Sequence, residues 1–124
     1  MGKVITLNTG LFQKEMEMTI TIVDEAKFNK ECVEINAFWC GKESRAQTHG
    51  SEIKAGLALF AAECFQQIAF NNFKEEQWLA ERFDWNKGNG IEGFPSIKDL
   101  GIEITDIDSW FIESDEIEIS GLDD

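Results

Sequence analysis

The sequence predicts an α+β domain, and three observations carry that prediction. Met16, Met18, Ile20 and Ile22 alternate with Glu17, Thr19 and Thr21, the period of two of a half-buried strand. Residues 24 to 83 then carry apolar stripes at helical spacing. Short alternating segments return near the end, at Gly101 to Asp108 and Glu116 to Ser120. Strands, then helices, then strands is an α+β order. It predicts an antiparallel sheet of about four strands with helices packed on one face. At 124 residues, 43% of them hydrophobic, with ten Phe and four Trp, one domain with a real core is expected over residues 1–124.

Residues 3–7 suggest the first strand, and Asn8-Thr9-Gly10 is turn material, so the first two strands are expected to pair as a hairpin. Asp24 is a candidate N-cap for the next helix. Phe28, Cys32, Ile35 and Trp39 fall on one of its faces, and Gly41 is a candidate end. Residues 43–48 suggest a short helical turn closed by His49-Gly50. Ser51 is a second N-cap candidate, and the longest helix runs from there to about Asn72. Ile53, Leu57, Phe60, Cys64 and Ile68 form one stripe on it. Ala58, Ala62, Phe65 and Ala69 form another, which predicts a central helix covered on more than one side. Ala55, Gly56, Ala58, Ala61 and Ala62 would let another element approach closely. Lys74 to Phe83 continues as a shorter helix. Gly88, Gly90, Gly93 and the only proline, Pro95, mark residues 84–100 as a loop. It is long for a compact domain, so a functional or mobile loop is expected there. In the closing strands Ile102, Ile104, Ile117 and Ile119 are expected to face inward.

Charge is distributed unevenly. The net charge is −13, yet residues 1–62 hold eight acids against seven bases, and residues 63–124 hold sixteen against four. After Lys98 come ten carboxylates and no Lys, Arg or His. Such a field repels nucleic acid and anionic membrane and attracts basic surfaces. Trp110, Phe111 and several Ile lie inside this stretch, whereas disordered acidic tails are poor in aromatics, so a folded segment is expected. No secretory signal or apolar run of membrane-spanning length opens the chain, and a cytoplasmic location in a bacterial host cell is expected. Gly2 with Thr6 is a loose match to a myristoylation pattern and lacks polybasic support. Cys32, Cys40 and Cys64 are odd in number and widely spaced, and read as reduced, buried thiols.

Several chemistries find little support. One His and three scattered Cys have no zinc spacing. Asp106, Asp108, Glu113, Asp115 and Glu116 invite a calcium reading, but Trp110 and Phe111 sit mid-loop and the glycine of an EF-hand is missing. There is no Gly-x-Ser-x-Gly elbow and no phosphate-binding frame around Lys87-Gly88-Asn89-Gly90. The carboxylates look solvated, which does not suit acid–base catalysis. The expectation is a non-enzyme with no cofactor, no metal, no direct nucleic-acid binding and no membrane contact.

The order Glu34-Ile35-Asn36-Ala37-Phe38-Trp39, Arg45, the Ala/Leu-rich helix Ala55 to Cys64, Glu92-Gly93-Phe94-Pro95, Gly101-Ile102-Glu103-Ile104 and Asp115-Glu116-Ile117-Glu118-Ile119 resembles a family of small bacterial and phage domains, domain-of-unknown-function family 2528. The resemblance covers most of the chain. It departs at Phe94, where a Trp is expected, and by extra residues around 72–90. The family has no established functional residues to carry over. It implies a setting of phages and mobile elements, where small acidic proteins are often inhibitors of host defence, including anti-CRISPR proteins. That step is analogy.

Acids two apart on a strand lie on one face, roughly 6.6–7 Å apart, comparable to the charge spacing of a nucleic-acid backbone. The acidic stretch therefore reads as a surface for a basic host protein or nucleoprotein complex, with nucleic-acid mimicry as one form. Asp106, Asp108, Glu113, Asp115, Glu116 and Glu118 are the candidate partner-binding residues, with Trp110 as an apolar anchor. The plainer reading is that Trp110 is core and the acids protect a sheet edge from aggregation. The runner-up is a scaffold or homo-oligomer that works through aromatic residues at Trp78, Trp85 and Phe94.

Overall fold

The computed structural model describes residues 2–9, 16–71, 75–107 and 120–122. Two strands, β1 (Lys3–Thr9) and β2 (Met16–Ile22), pair antiparallel with Ile5 opposite Ile20. Five helices follow: α1 (Glu25–Phe38), α2 (Lys42–His49), α3 (Glu52–Asn71), α4 (Glu76–Arg82) and α5 (Ile97–Leu100). The strand β3 (Ile102–Ile107) then returns to pair antiparallel with β2, giving the sheet order β1-β2-β3. The architecture is α+β as the sequence predicts, with three strands among the described residues where about four are expected. The fourth was expected at 116–120, nearly all of which lies outside the described residues.

The sheet buries one face. Met18, Ile20 and Ile22 of β2 share a single core with Phe28, Cys32 and Ile35 of α1 and with Phe60, Cys64 and Ile68 of α3. Thr19 and Thr21 point the other way, as the period of two requires. The same strict alternation along β3 would carry Asp106 into the core with Ile102 and Ile104. A bulge prevents it. Thr19 pairs with Asp106 and Ile20 with Ile104, so Thr105 is the extra residue. Its hydroxyl donates to the Thr19 carbonyl at 3.1 Å. Beyond the bulge Ile107 is buried and Asp106 exposed.

The helix caps follow the local sequence. Asp24 Oδ1 accepts from the Lys27 amide at 3.1 Å, and Ser51 Oγ accepts from the Lys54 amide at 3.1 Å. The end of α1 departs from expectation. It stops at Phe38, and Gly41 sits one element later, at the N-cap of α2 with φ 84°. Trp39 leaves the apolar stripe and is 39% exposed. The expected loop at 84–100 is partly ordered into a 3₁₀ turn at Trp85–Lys87 and the helix α5. Ser96 Oγ caps α5 through the Asp99 amide at 3.1 Å, and Ile97 and Leu100, three apart, anchor it in the core.

The core is centred on α3. Phe60 stacks on Phe83 with centroids 5.2 Å apart, and Phe94 sits against Phe83 at 5.9 Å. One turn before Phe60, α3 meets α1 at Gly56, where a Cβ would collide with the Cys32 carbonyl oxygen. The backbones touch there, as the run of small residues predicts. Gly56→Ala is therefore expected to push the two helices apart and lower stability by about 1–3 kcal/mol, read as a lower urea midpoint with an unchanged slope.

Candidate interaction surfaces

Polar residues on the exposed side of the sheet follow directly from strand alternation and the bulge. That face carries Val4, Thr6, Thr19 and Thr21, with Glu103 and Asp106 at the β3 edge, both exposed. Among the described residues neither carboxylate meets a basic side chain; the ion pair found there joins Lys87 to Glu81 at 3.5 Å. Of the predicted partner-binding residues, Asp106 is thus placed at the surface. Asp108, Trp110, Glu113, Asp115, Glu116 and Glu118 lie outside the described residues.

A second surface is aromatic. Phe38 is 52% exposed and Trp85 53%, and both border the segment 90–94, as does Trp39. Phe38 and Trp39 meet edge to face at 4.9 Å and close over Gly93. Trp85 lies over Gly90, and its Nε1–H donates to the Phe94 carbonyl at 2.9 Å. Phe94 itself is only 7% exposed and packs beneath Trp39 at 6.2 Å. This corrects the expected composition of the aromatic surface. Phe94 is its support, Trp78 is half-buried beside the Arg82 guanidinium at 5.1 Å, and Phe38 and Trp39 are members that sequence periodicity had assigned elsewhere or missed.

A polar clip holds that surface in place. Asn36 is 1% exposed in the last turn of α1. Its amide donates to the Lys42 carbonyl at 3.2 Å, and its Oδ1 accepts from Arg45 Nε at 2.8 Å. The same guanidinium donates to the carbonyls of Asn36 at 2.8 Å, Trp39 at 2.9 Å and Cys40 at 2.6 Å. Arg45 thereby satisfies the open carbonyl end of α1 and places a positive charge on the negative end of the helix dipole. It fixes the corner from which Phe38 and Trp39 project. Arg45→Lys keeps the charge but loses the planar fork, and is expected to cost about 1–3 kcal/mol in thermal or urea unfolding.

Two thiols are inert by position. Burial pushes the Cys32 thiol up to about 12, and burial raises that of Cys64 well above its ordinary range. Cys40 is exposed, which corrects the reading of all three as buried. Among the described residues no three of His, Cys, Asp and Glu converge as a metal cage requires, and no helix is long and apolar enough to cross a membrane.

Acid crowding is also felt on α1. Partial burial, then the hydrogen bond with and charge of Glu34, raise the Glu31 carboxyl above its usual value. A carboxyl raised by folding binds its proton more tightly in the native state, so it disfavours folding once pH exceeds its unfolded value. Glu31→Gln is expected to raise Tm slightly at pH 7 and to leave it unchanged at about pH 3.5, below the unfolded carboxyl range.

Comparison with known proteins adds the family. The sequence profile described as Protein of unknown function (DUF2528) matches residues 19–119. The chain belongs to that family. It is 36% identical over 107 residues to Protein ea10 of Escherichia phage lambda, covering 85% of this chain and 84% of that one. The same identity and coverage hold for the Lambda prophage-derived protein ea10 of Escherichia coli O6:H1 (strain CFT073). These relatives are a phage protein and a prophage-derived one, the setting that the resemblance implies. No solved structure matches significantly.

Proposed function

We propose that this chain is a phage or mobile-element interaction protein that binds a basic surface of a host nucleic-acid-handling defence complex and blocks it, acting by occupancy and not by catalysis. The observation that supports this reading most is the placement of charge. The β3 bulge turns Asp106 outward beside Glu103, and the chain continues past it with seven more carboxylates and no base. The strand is antiparallel-paired to β2, so Glu103 and Asp106 stand on a paired strand. Carboxylates held this way can accept charge-assisted bonds from Arg and Lys in a groove built for phosphate. Nucleic-acid mimicry is the sharpest form of this reading.

A second reading has its own observation. Phe38, Trp39 and Trp85 expose large apolar area around one segment, which suits a scaffold or a homo-oligomer. Salt separates the two. Charge-led association weakens as ionic strength rises, because exposed charges are screened within about 8–10 Å, whereas apolar association persists.

The experiment is a capture from host lysate at low salt, eluted by a salt step, with the Glu103→Lys, Asp106→Lys double variant in parallel. Both positions are exposed, so the variant is expected to fold normally and to lose at least about tenfold in affinity for the captured complex. A basic complex that elutes with salt and has lost its nucleic acid fits the proposal. Normal binding by the double variant removes the β3 face as the interface. Salt-resistant capture abolished by Trp85→Ala moves the function to the aromatic surface.

A further inference from the structure

The second apolar stripe of α3 is only partly covered among the described residues: Phe65 is buried. Ala58 and Ala69 are half-buried and Ala62 is exposed, although their spacing matches that of a buried face. The α1 helix packs tightly on α3 at Gly56, while little of β1 comes close to α3. The space left is a groove of about 860 Å³. Ile5 and Leu7 of β1 form one wall, Phe28 of α1 closes one end, and Leu57, Ala58 and Phe65 form the floor. That volume lies in the range of small-ligand sites, roughly 300–1,000 Å³.

Its charge is opposite to that of the protein. In a chain of net charge −13, the ionisable groups that line the groove among the described residues are Lys3, Lys54, His49 and a single acid, Glu25. Among the described residues neither lysine is paired with a carboxylate. An apolar trough with ammonium groups at its rim fits a molecule that has an apolar chain and an anionic head. A polar anion would leave the trough empty, and a cation would meet two lysines.

We propose that the groove between β1 and α3 binds a straight-chain carboxylate, with the hydrocarbon lying along Ala58, Ala62 and Phe65 and the head group at Lys3 and Lys54. This site is separate from the acidic face of β3, and neither reading depends on the other. Burial of the chain supplies affinity in proportion to its length, and the lysines supply the sign of charge selected.

Calorimetric titration of the whole chain with decanoate, dodecanoate and tetradecanoate, each below its micellar concentration, tests it. Saturable one-to-one binding is expected, tightening about fourfold for each added methylene. Dodecyltrimethylammonium should bind at least about tenfold more weakly than dodecanoate. Lys3→Glu with Lys54→Glu, both at exposed positions, should erase that preference while dodecanol binds as before. Ala62→Trp, also exposed, should block every ligand without changing the circular dichroism. Absence of saturable binding overturns the proposal, as does equal affinity for the cationic amphiphile. Sedimentation that finds a dimer dissociated by Ala62→Trp also overturns it, since the groove would then be covered by a second copy.

Discussion

The contact of α1 with α3 at Gly56 is the constraint on which the other features rest. Backbone against backbone is the closest approach two helices make, and it is possible here because residue 56 has no side chain to insert before the Cys32 carbonyl. The approach brings Phe28, Cys32 and Ile35 into one buried core with Leu57, Phe60 and Cys64. It also fixes where that core ends. Beside that core, space is left between β1 and α3, and the groove is that space.

The corner between α1 and α2 works by a different kind of force. A helix that stops beside solvent leaves carbonyls to be satisfied. Here a single guanidinium from the next helix takes the Asn36 carbonyl of the last turn and those of Trp39 and Cys40 just past it, along with the Asn36 side chain. Asn36 is the buried polar residue among those described, and its hydrogen-bonding groups are used. The arrangement sets the direction in which Phe38 and Trp39 leave the helix, and Gly93 opposite them leaves room for both rings. Polar satisfaction beneath, and aromatic exposure above, belong to one local structure.

Electrostatics and packing are segregated in the molecule. Glu103 and Asp106 are exposed on β3, while Lys3 and Lys54 stand at the groove beside β1. The order β1-β2-β3 places these two regions on different edge strands, with β2 between them. A basic partner on one edge and an anionic amphiphile at the other would not compete for the same side chains. The chain belongs to a family whose relatives include a phage protein and a prophage-derived one.

Much of the fold was legible from local pattern. The period-two run of β2, the caps at Asp24 and Ser51, and the stripe Phe28, Cys32, Ile35 are short-range signals, and each appears in the structure where the residues place it. The small residues around Gly56 announced a close crossing for the same reason: absence of a side chain is written in the sequence. What periodicity does not contain is which neighbour arrives. The Thr105 bulge depends on β3 meeting β2 in one register, and it reverses the side on which Asp106 and Ile107 fall. Arg45 has the composition of an ordinary surface charge, and only the turn at Gly41 brings it to the end of α1. Trp39 continues a helical stripe on paper but leaves it once α1 stops at Phe38. The stripe of Ala58, Ala62, Phe65 and Ala69 reads as core by spacing, yet only Phe65 is buried, Ala58 and Ala69 are half-buried and Ala62 is exposed. The sequence by itself determined the first two strands, the longer helices, the caps at Asp24 and Ser51 and the overall charge, because those depend on residues a few positions apart. Tertiary structure decided exposure, register and the groove, because those depend on where chain segments far apart in sequence come to rest against one another.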